Sequence, residues 1–186
     1  MRSAVVVPVK SFALAKARLA PVLDEQARAD LARHMAERVL RAAGSLPVTV
    51  ACDDDEVAAW ARSHGADVAW TPGTDLNGSV TAAVGALAAS GFDRVVVAHA
   101  DLPKARDLAI VVGDDGVVAV PDRRRDGTNV ISLPTGSGFV FAYGPGSFDR
   151  HRAEAARLGL GFIVVEAPDL QWDVDDPSDL DGLTCG

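Results

Sequence analysis

The sequence predicts an α/β fold: a Rossmann-like, mostly parallel central sheet flanked by helices. Two observations point there. Short, continuously apolar, β-branched runs at 4–9, 95–98 and 116–121 read as strands buried on both faces. Stretches with helical spacing alternate with such runs, and that order favours a parallel sheet. Glycines at 44, 65 and 91 close three of those helical stretches. At 186 residues the chain is long enough for one domain, 1–186, with a sizeable core. Apolar content of 48% and charged content of 24% are ordinary for a soluble globular protein. No repeat, low-complexity stretch or linker interrupts it.

The first strand, 4–9, carries Pro8 near its end, which limits pairing there. The loop 10–21 that follows holds Lys10, Ser11, Lys16 and Arg18 and no acid. The chain has only three lysines, and two of them are here. Three cations and a hydroxyl match what a triphosphate needs. A solvated loop with Phe12, Leu14 and Leu19 packing inward would read the same way. The stretch 24–43 is an amphipathic helix, capped by Asp24, with Leu31, Met35, Val39 and Leu40 on one side. A second strand, 47–51, ends in the acids 53–56, which suit the N-terminus of the helix 57–64; Asp53 is the one placed to reach a ligand. A strand at 67–70 and a turn-rich loop at 71–78 lead into the helix 79–90. Asn77 and Gly78 at its entry either form a turn and cap or read a nucleotide base.

The run 95–98 ends in His99-Ala100-Asp101, and Pro103 forbids continuation as an interior strand. An aspartate is therefore delivered to the carboxyl end of a central strand, the edge where open α/β sheets bind ligands. A carboxylate there suits a hard divalent cation carrying phosphates. It would equally cap a helix over 102–112. The strand 116–121 leads to three consecutive arginines, at least one of them solvated, then to Gly127-Thr128, which can bind a small phosphate or carboxylate. A strand at 130–133 and a strand-like stretch at 139–143 follow. Gly144-Pro-Gly-Ser-Phe148 opens a helix over 149–158, as an anion site or as a capping turn. After a late strand at 161–165 come Asp173 and Asp175, which share one face if the chain is extended. With Asp101 they could hold one or two magnesium ions. Alternatively, Asp176 and Ser178 cap the last helical turn.

The net charge of -8 argues against nucleic acid or an anionic membrane as partner. An anionic substrate must then meet a local basic cluster. Cys52 and Cys185 lack metal or redox spacing and read as unpaired thiols of a reducing compartment. No run approaches membrane-spanning length and Met1-Arg2-Ser3 leads directly into a strand, so a cytoplasmic protein is expected.

The segments PVKSFALAKARLA (8–20), AHADLP (98–103), PDRRRDGTN (121–129), FAYGPGSFDRH (141–151) and DVDDPSDL (173–180) together resemble one family closely. It is the guanylyltransferases that activate phosphoenolpyruvate or 2-phospholactate during deazaflavin coenzyme synthesis. The resemblance spans nearly the whole chain and implies the nucleotidyltransferase (nucleotide-diphospho-sugar transferase) fold. The loop 10–21 has no glycine, unlike the glycine-rich loop of sugar and molybdopterin nucleotidyltransferases. The resemblance implies GTP and a small phosphorylated carboxylic acid as substrates and Mg2+ as cofactor. Asp101 with Asp173, Asp175 or both would bind the metal. Lys10, Lys16 and Arg18 would hold the triphosphate, with Ser11, Asn77 and Gly78 on the nucleotide. Thr128, Gly144 and Ser147 would place the acceptor, phosphoenolpyruvate rather than 2-phospholactate by the branch most resembled. The resemblance further implies a downstream transferase of the coenzyme route as partner and admits a homodimer. The rival expectations are a nucleotidyltransferase with a molybdopterin or sugar-phosphate acceptor and a non-catalytic nucleotide-binding subunit.

Overall fold

The computed structural model describes residues 1–113 and 116–183, so Cys185 lies outside the described residues. Seven strands among these residues, β1 (Ser3–Pro8), β2 (Val48–Cys52), β3 (Asp67–Trp70), β4 (Arg94–Ala98), β5 (Val117–Pro121), β6 (Thr128–Pro134) and β7 (Phe162–Val164), form one sheet in the order β3-β2-β1-β4-β6-β5-β7. β1, β2, β3 and β4 run parallel; β6 is antiparallel to both of its neighbours, and β5 and β7 run with the parallel set. The sheet is thus mostly parallel, as the strand-helix alternation predicts. The helices are α1 (Glu25–Ala42), α2 (Asp55–Ser63), α3 (Leu76–Ala89) and α4 (Ser147–Arg157).

The valine runs behave as double-sided strands. Val5, Val7, Val96 and Ala98 face one layer with α1 and α2, while Ala4, Val6, Val95 and Val97 face the other with α3 and α4. All eight are fully buried. Each such valine stabilises the fold by about 1.5 kcal/mol or more relative to exposure. Asp24, Asp54 and Asp75 cap α1, α2 and α3 by accepting the N–H of Ala27, Val57 and Gly78. Most of the acid run after β2 therefore serves the helix entry.

Two expected elements are absent. The stretch 102–112 is not a helix; only a single 3₁₀ turn forms, at Ala109–Val111. Its buried residues Leu102, Ala105, Leu108 and Val111 recur every three positions, a period that fits successive tight turns as well as it fits a helix. The Leu108 N–H is also taken by the Ala42 carbonyl at the end of α1. Asp101 consequently caps no helix. The stretch 139–143 is extended but pairs with no strand. Side chains hold it instead: Glu154 accepts the Val140 N–H, His151 the Ala142 N–H and Asn77 the Tyr143 N–H. Phe139, Phe141 and Tyr143 alternate inward as in a strand, so the sequence period was right and the partner was missing.

The antiparallel strand decides where the site lies. Because β6 runs against β4, its first residues lie beside the last residues of β4: Ala98 pairs with Val130, and the His99 N–H donates to the Asn129 carbonyl at 3.0 Å. Thr128 is thereby carried to the same edge as Asp101.

Candidate active site

Two cavities open at this edge, and both are lined by His99 and Asp101. The first, about 290 Å³, is mainly apolar, with Val9, Phe12, Leu14 and Met35 in its wall and Lys10, Ser11 and Lys16 adding polar groups to His99 and Asp101. The second, about 320 Å³, is polar and bears Arg18, Asp122, Arg123, Thr128, Gly144, Ser147, Asp173 and Asp175. An apolar cleft with a few placed polar groups suits a ring and its tether; a polar cleft suits a small, charged molecule.

Lys16 sits between the carboxylates. Its Nζ donates to Asp101 Oδ2 at 2.6 Å and to Asp175 Oδ1 at 3.3 Å, with little of the side chain exposed. Burial alone would lower the Lys16 pKa, but Asp101 and Asp175 outweigh it and hold the ammonium above its ordinary value. Burial likewise works to raise the Asp101 pKa, and the Lys16 ammonium, with His99, more than offsets it, leaving the carboxyl below the usual range. Lys16 also has a left-handed backbone, φ 55°, a conformation uncommon outside glycine and worth attention beside a site. Lys10 reaches the Thr74 carbonyl and, at 3.4 Å, Asp53. Arg18 lines the second cavity. The three cations of the basic loop are therefore spread along the site rather than gathered at one point.

The late aspartates arrive together with Asp101. Val174 is buried with Leu19 and Met35, and its N–H donates to the Asp101 carbonyl at 3.3 Å, while Asp173 and Asp175 on either side line the cavity. Burial and the neighbouring carboxylates of Asp101, Asp175 and Asp122 push the Asp173 pKa up. Asp101 Oδ1 is buried without a partner. Among the described residues no group of three carboxylate, histidine or cysteine side chains is placed to hold a metal ion; what the carboxylate cluster offers a hard divalent cation is carboxylate oxygen, the bare Asp101 oxygen included, with the Lys16 ammonium lying between Asp101 and Asp175. Asp179, rather than Asp176 or Ser178, holds the terminal turn. Its Oδ2 accepts the N–H of Asp175 and of Asp176, both at 2.8 Å, and its Oδ1 accepts from Arg123 at 2.5 Å. Arg123 and Lys104 both lie over the Trp172 ring, at 3.6 and 3.9 Å, which ties this segment to the sheet edge.

On the opposite wall, Thr128, Gly144 and Ser147 come together. Ser147 Oγ and Thr128 Oγ1 are 3.5 Å apart. Gly144 has φ 113°, a conformation L side chains rarely adopt. Asp122, not singled out from sequence, accepts the N–H of Asp126 and Gly127 and shapes the loop before Thr128. A Cβ at Gly127 would lie 2.9 Å from that carboxylate. The Asp-x4-Gly spacing was the available signal. Of the three arginines, Arg123 is spent on Asp179 and Trp172, Arg124 is mostly exposed near Asp176, and Arg125 turns away to Glu166. Asn77 and Gly78 line neither cavity; Asn77 Oδ1 accepts from Tyr143, the Gly78 N–H goes to Asp75, and Leu76 is the residue of that turn in the first cavity. No helix among the described residues is long and apolar enough to cross a membrane.

Comparison with known proteins identifies a family and a fold. A family model described as guanylyl transferase, CofC-like, matches residues 3–185. A phosphoenolpyruvate guanylyltransferase of Rubrobacter xylanophilus is 38% identical over 184 residues, covering 94% of this chain and 90% of its own. One from Conexibacter woesei is 34% identical over 195 residues, covering 98% and 87%. Among solved structures, a protein of Desulfovibrio desulfuricans G20 assigned as a nucleotide-diphospho-sugar transferase superposes with a TM-score of 0.79 at 20% identity, over 98% of this chain and 87% of its own. CMP:2-keto-3-deoxy-manno-octonic acid synthetase complexed with CTP superposes with a TM-score of 0.64 at 15% identity, over 98% and 97%. Those two likenesses establish the nucleotidyltransferase fold.

Proposed function

The chain belongs to the CofC-like guanylyl transferase family, and we propose that it transfers GMP from GTP to the phosphate of phosphoenolpyruvate, releasing pyrophosphate. The observation that carries this reading is the meeting of an apolar cavity and a polar cavity at Asp101 and His99. A nucleoside and its triphosphate fit the first and its mouth; a small phosphorylated acid fits the second. The relatives named phosphoenolpyruvate guanylyltransferases support the choice of acceptor. On this reading the chain acts as a single nucleotidyltransferase domain, and its reactive product is consumed by a downstream transferase of deazaflavin coenzyme synthesis.

The acceptor phosphate is already anionic at neutral pH and needs no strong base. One of its oxygens attacks the α-phosphorus of GTP. The bond from that phosphorus to the bridging oxygen breaks, and pyrophosphate leaves with the electron pair. Two anions must be brought together, so the work is positioning and charge neutralisation. Thr128 and Ser147 present hydroxyls to the acceptor, and Gly144 lets the backbone approach it. Lys10 and Arg18 flank the path of the triphosphate. Lys16 offsets the charge of Asp101 and Asp175 and lies where the leaving group would draw on it. Asp101, Asp173 and Asp175 would hold magnesium, whose charge, when bound, offsets that of the phosphate oxygens.

The test is pyrophosphate release by the purified protein with magnesium and GTP, one acceptor at a time. Release with phosphoenolpyruvate is expected. Release only with 2-phospho-L-lactate would keep the chemistry and change the acceptor. Release only with a sugar phosphate or molybdopterin would replace the reading.

A further inference from the structure

His151 is fully buried and belongs to no step above. Its ring is fixed from both sides. The Ala142 N–H donates to Nε2 at 3.0 Å, and Nδ1 lies 3.0 Å from Thr128 Oγ1. The Arg150 guanidinium grips the Ala142 carbonyl with Nε and Nη2 at 3.1 and 2.8 Å, so the residue whose N–H meets the ring is also held through its next peptide group. An Nε2 that accepts a hydrogen bond carries a lone pair, and a neutral imidazole has one proton, so that proton is on Nδ1. Burial, with Arg150 and His99 nearby, pushes the His151 pKa down to about 4, against a smaller opposing pull from Glu154, so the ring is neutral at pH 7.

The consequence falls on Thr128. Its hydroxyl oxygen accepts from Nδ1–H and, through a longer contact of 3.5 Å, from the Ser147 hydroxyl. Its own proton has no acceptor among the described residues, and Thr128 lines the polar cavity. We propose that His151 is a positioning residue: its Nδ1–H commits the Thr128 hydroxyl to donating into the cavity, toward an anionic acceptor phosphate. The opposite tautomer would draw the hydroxyl proton toward the ring and turn oxygen lone pairs toward the anion. This rests on the acceptor site argued above.

Two readouts test it. In the unaltered protein, nitrogen chemical shifts of His151 should report a protonated Nδ1 and a bare Nε2 at neutral pH; a protonated Nε2 overturns the proposal. In kinetics, His151→Gln keeps an acceptor near Nε2 and loses the donor to Thr128, whereas His151→Asn places an amide donor near Nδ1. H151Q should raise KM for phosphoenolpyruvate about tenfold, with kcat and KM for GTP changed much less, as loss of one hydrogen bond to an anion requires. H151N should stay within about threefold of the unaltered protein. Combined with Thr128→Val, H151Q should add nothing further, because both act on one hydrogen bond. Equal effects of H151Q and H151N, or effects that multiply in the double variant, overturn the proposal. No turnover of phosphoenolpyruvate by the unaltered protein, with the Nδ1–H tautomer present, removes the acceptor reading and the proposal with it. Turnover with a KM that none of these variants moves removes the proposal alone.

Discussion

Asp101 gives one carboxylate oxygen to Lys16 and keeps the other buried and bare. Replacing it by Asn removes the charge and keeps the shape. Asp101→Asn should lower turnover at least about a hundredfold while leaving the far-ultraviolet spectrum and the cooperativity of unfolding unchanged. A folded, fully active variant would contradict the assignment. Lys16→Ala leaves two carboxylates facing each other without their cation, so it should reduce stability by about 2 kcal/mol, less than a fully enclosed pair would lose. It should also weaken the use of GTP; denaturant midpoints and GTP kinetics check both, and unchanged values in each would return Lys16 to a surface role. His151 adds a pH dependence. Its folded pKa of about 4 lies below the ordinary 6.5, so between these values the unfolded chain binds a proton that the native chain refuses. That stability is complete above about pH 6.5 and is lost as the pH falls toward 4, about 2 to 3 kcal/mol across the window. His151→Asn should flatten this part of the stability profile; an unchanged slope would show that the ring does not titrate as argued.

The terminal turn shows how an element rather than a residue builds the site. Asp179 gathers the N–H groups of Asp175 and Asp176 and the Arg123 guanidinium, so it fixes the backbone at Asp175, and it lines the polar cavity beside Asp175. Asp179→Asn should raise the magnesium concentration needed for half-maximal activity several-fold and cost about 2 kcal/mol of stability. An unchanged magnesium requirement would separate the turn from the proposed binding of magnesium. From sequence, the strands were legible wherever valines ran together, because only a strand covered on both faces tolerates such runs. The helices α1 to α4 were legible from caps and spacing, with ends within a few residues. The stretch 102–112 misled because a three-residue apolar period mimics a helix when short, and 139–143 misled because an alternating pattern says nothing of its hydrogen-bond partner. The motifs single out Thr128, Gly144, Ser147, Asp173 and Asp175, and all five line the polar cavity. Asp122, Asp179 and His151 lie in the same motifs but are not singled out there, since each holds a backbone or contacts a hydroxyl, a role that spacing does not announce.

Over the whole molecule, the topology supplies the site. Parallel β1 and β4 end at one edge, antiparallel β6 begins there, and the chain's last aspartates return to it. In a protein with a net charge of -8, two of the three lysines, Lys10 and Lys16, and Arg18 beside them lie along the two cavities of this edge. The direct test is the fate of a label. With GTP labelled on the α-phosphate, magnesium and phosphoenolpyruvate, the label should move from GTP into a new product containing phosphoenolpyruvate, while the β- and γ-phosphates leave together as pyrophosphate. Running the reaction beside the downstream transferase and its deazaflavin acceptor guards against loss of an unstable product. If the label stays in GTP with every phosphoester offered, although GTP binds, the site holds a nucleotide without transferring it, and guanylyl transfer by this chain is contradicted.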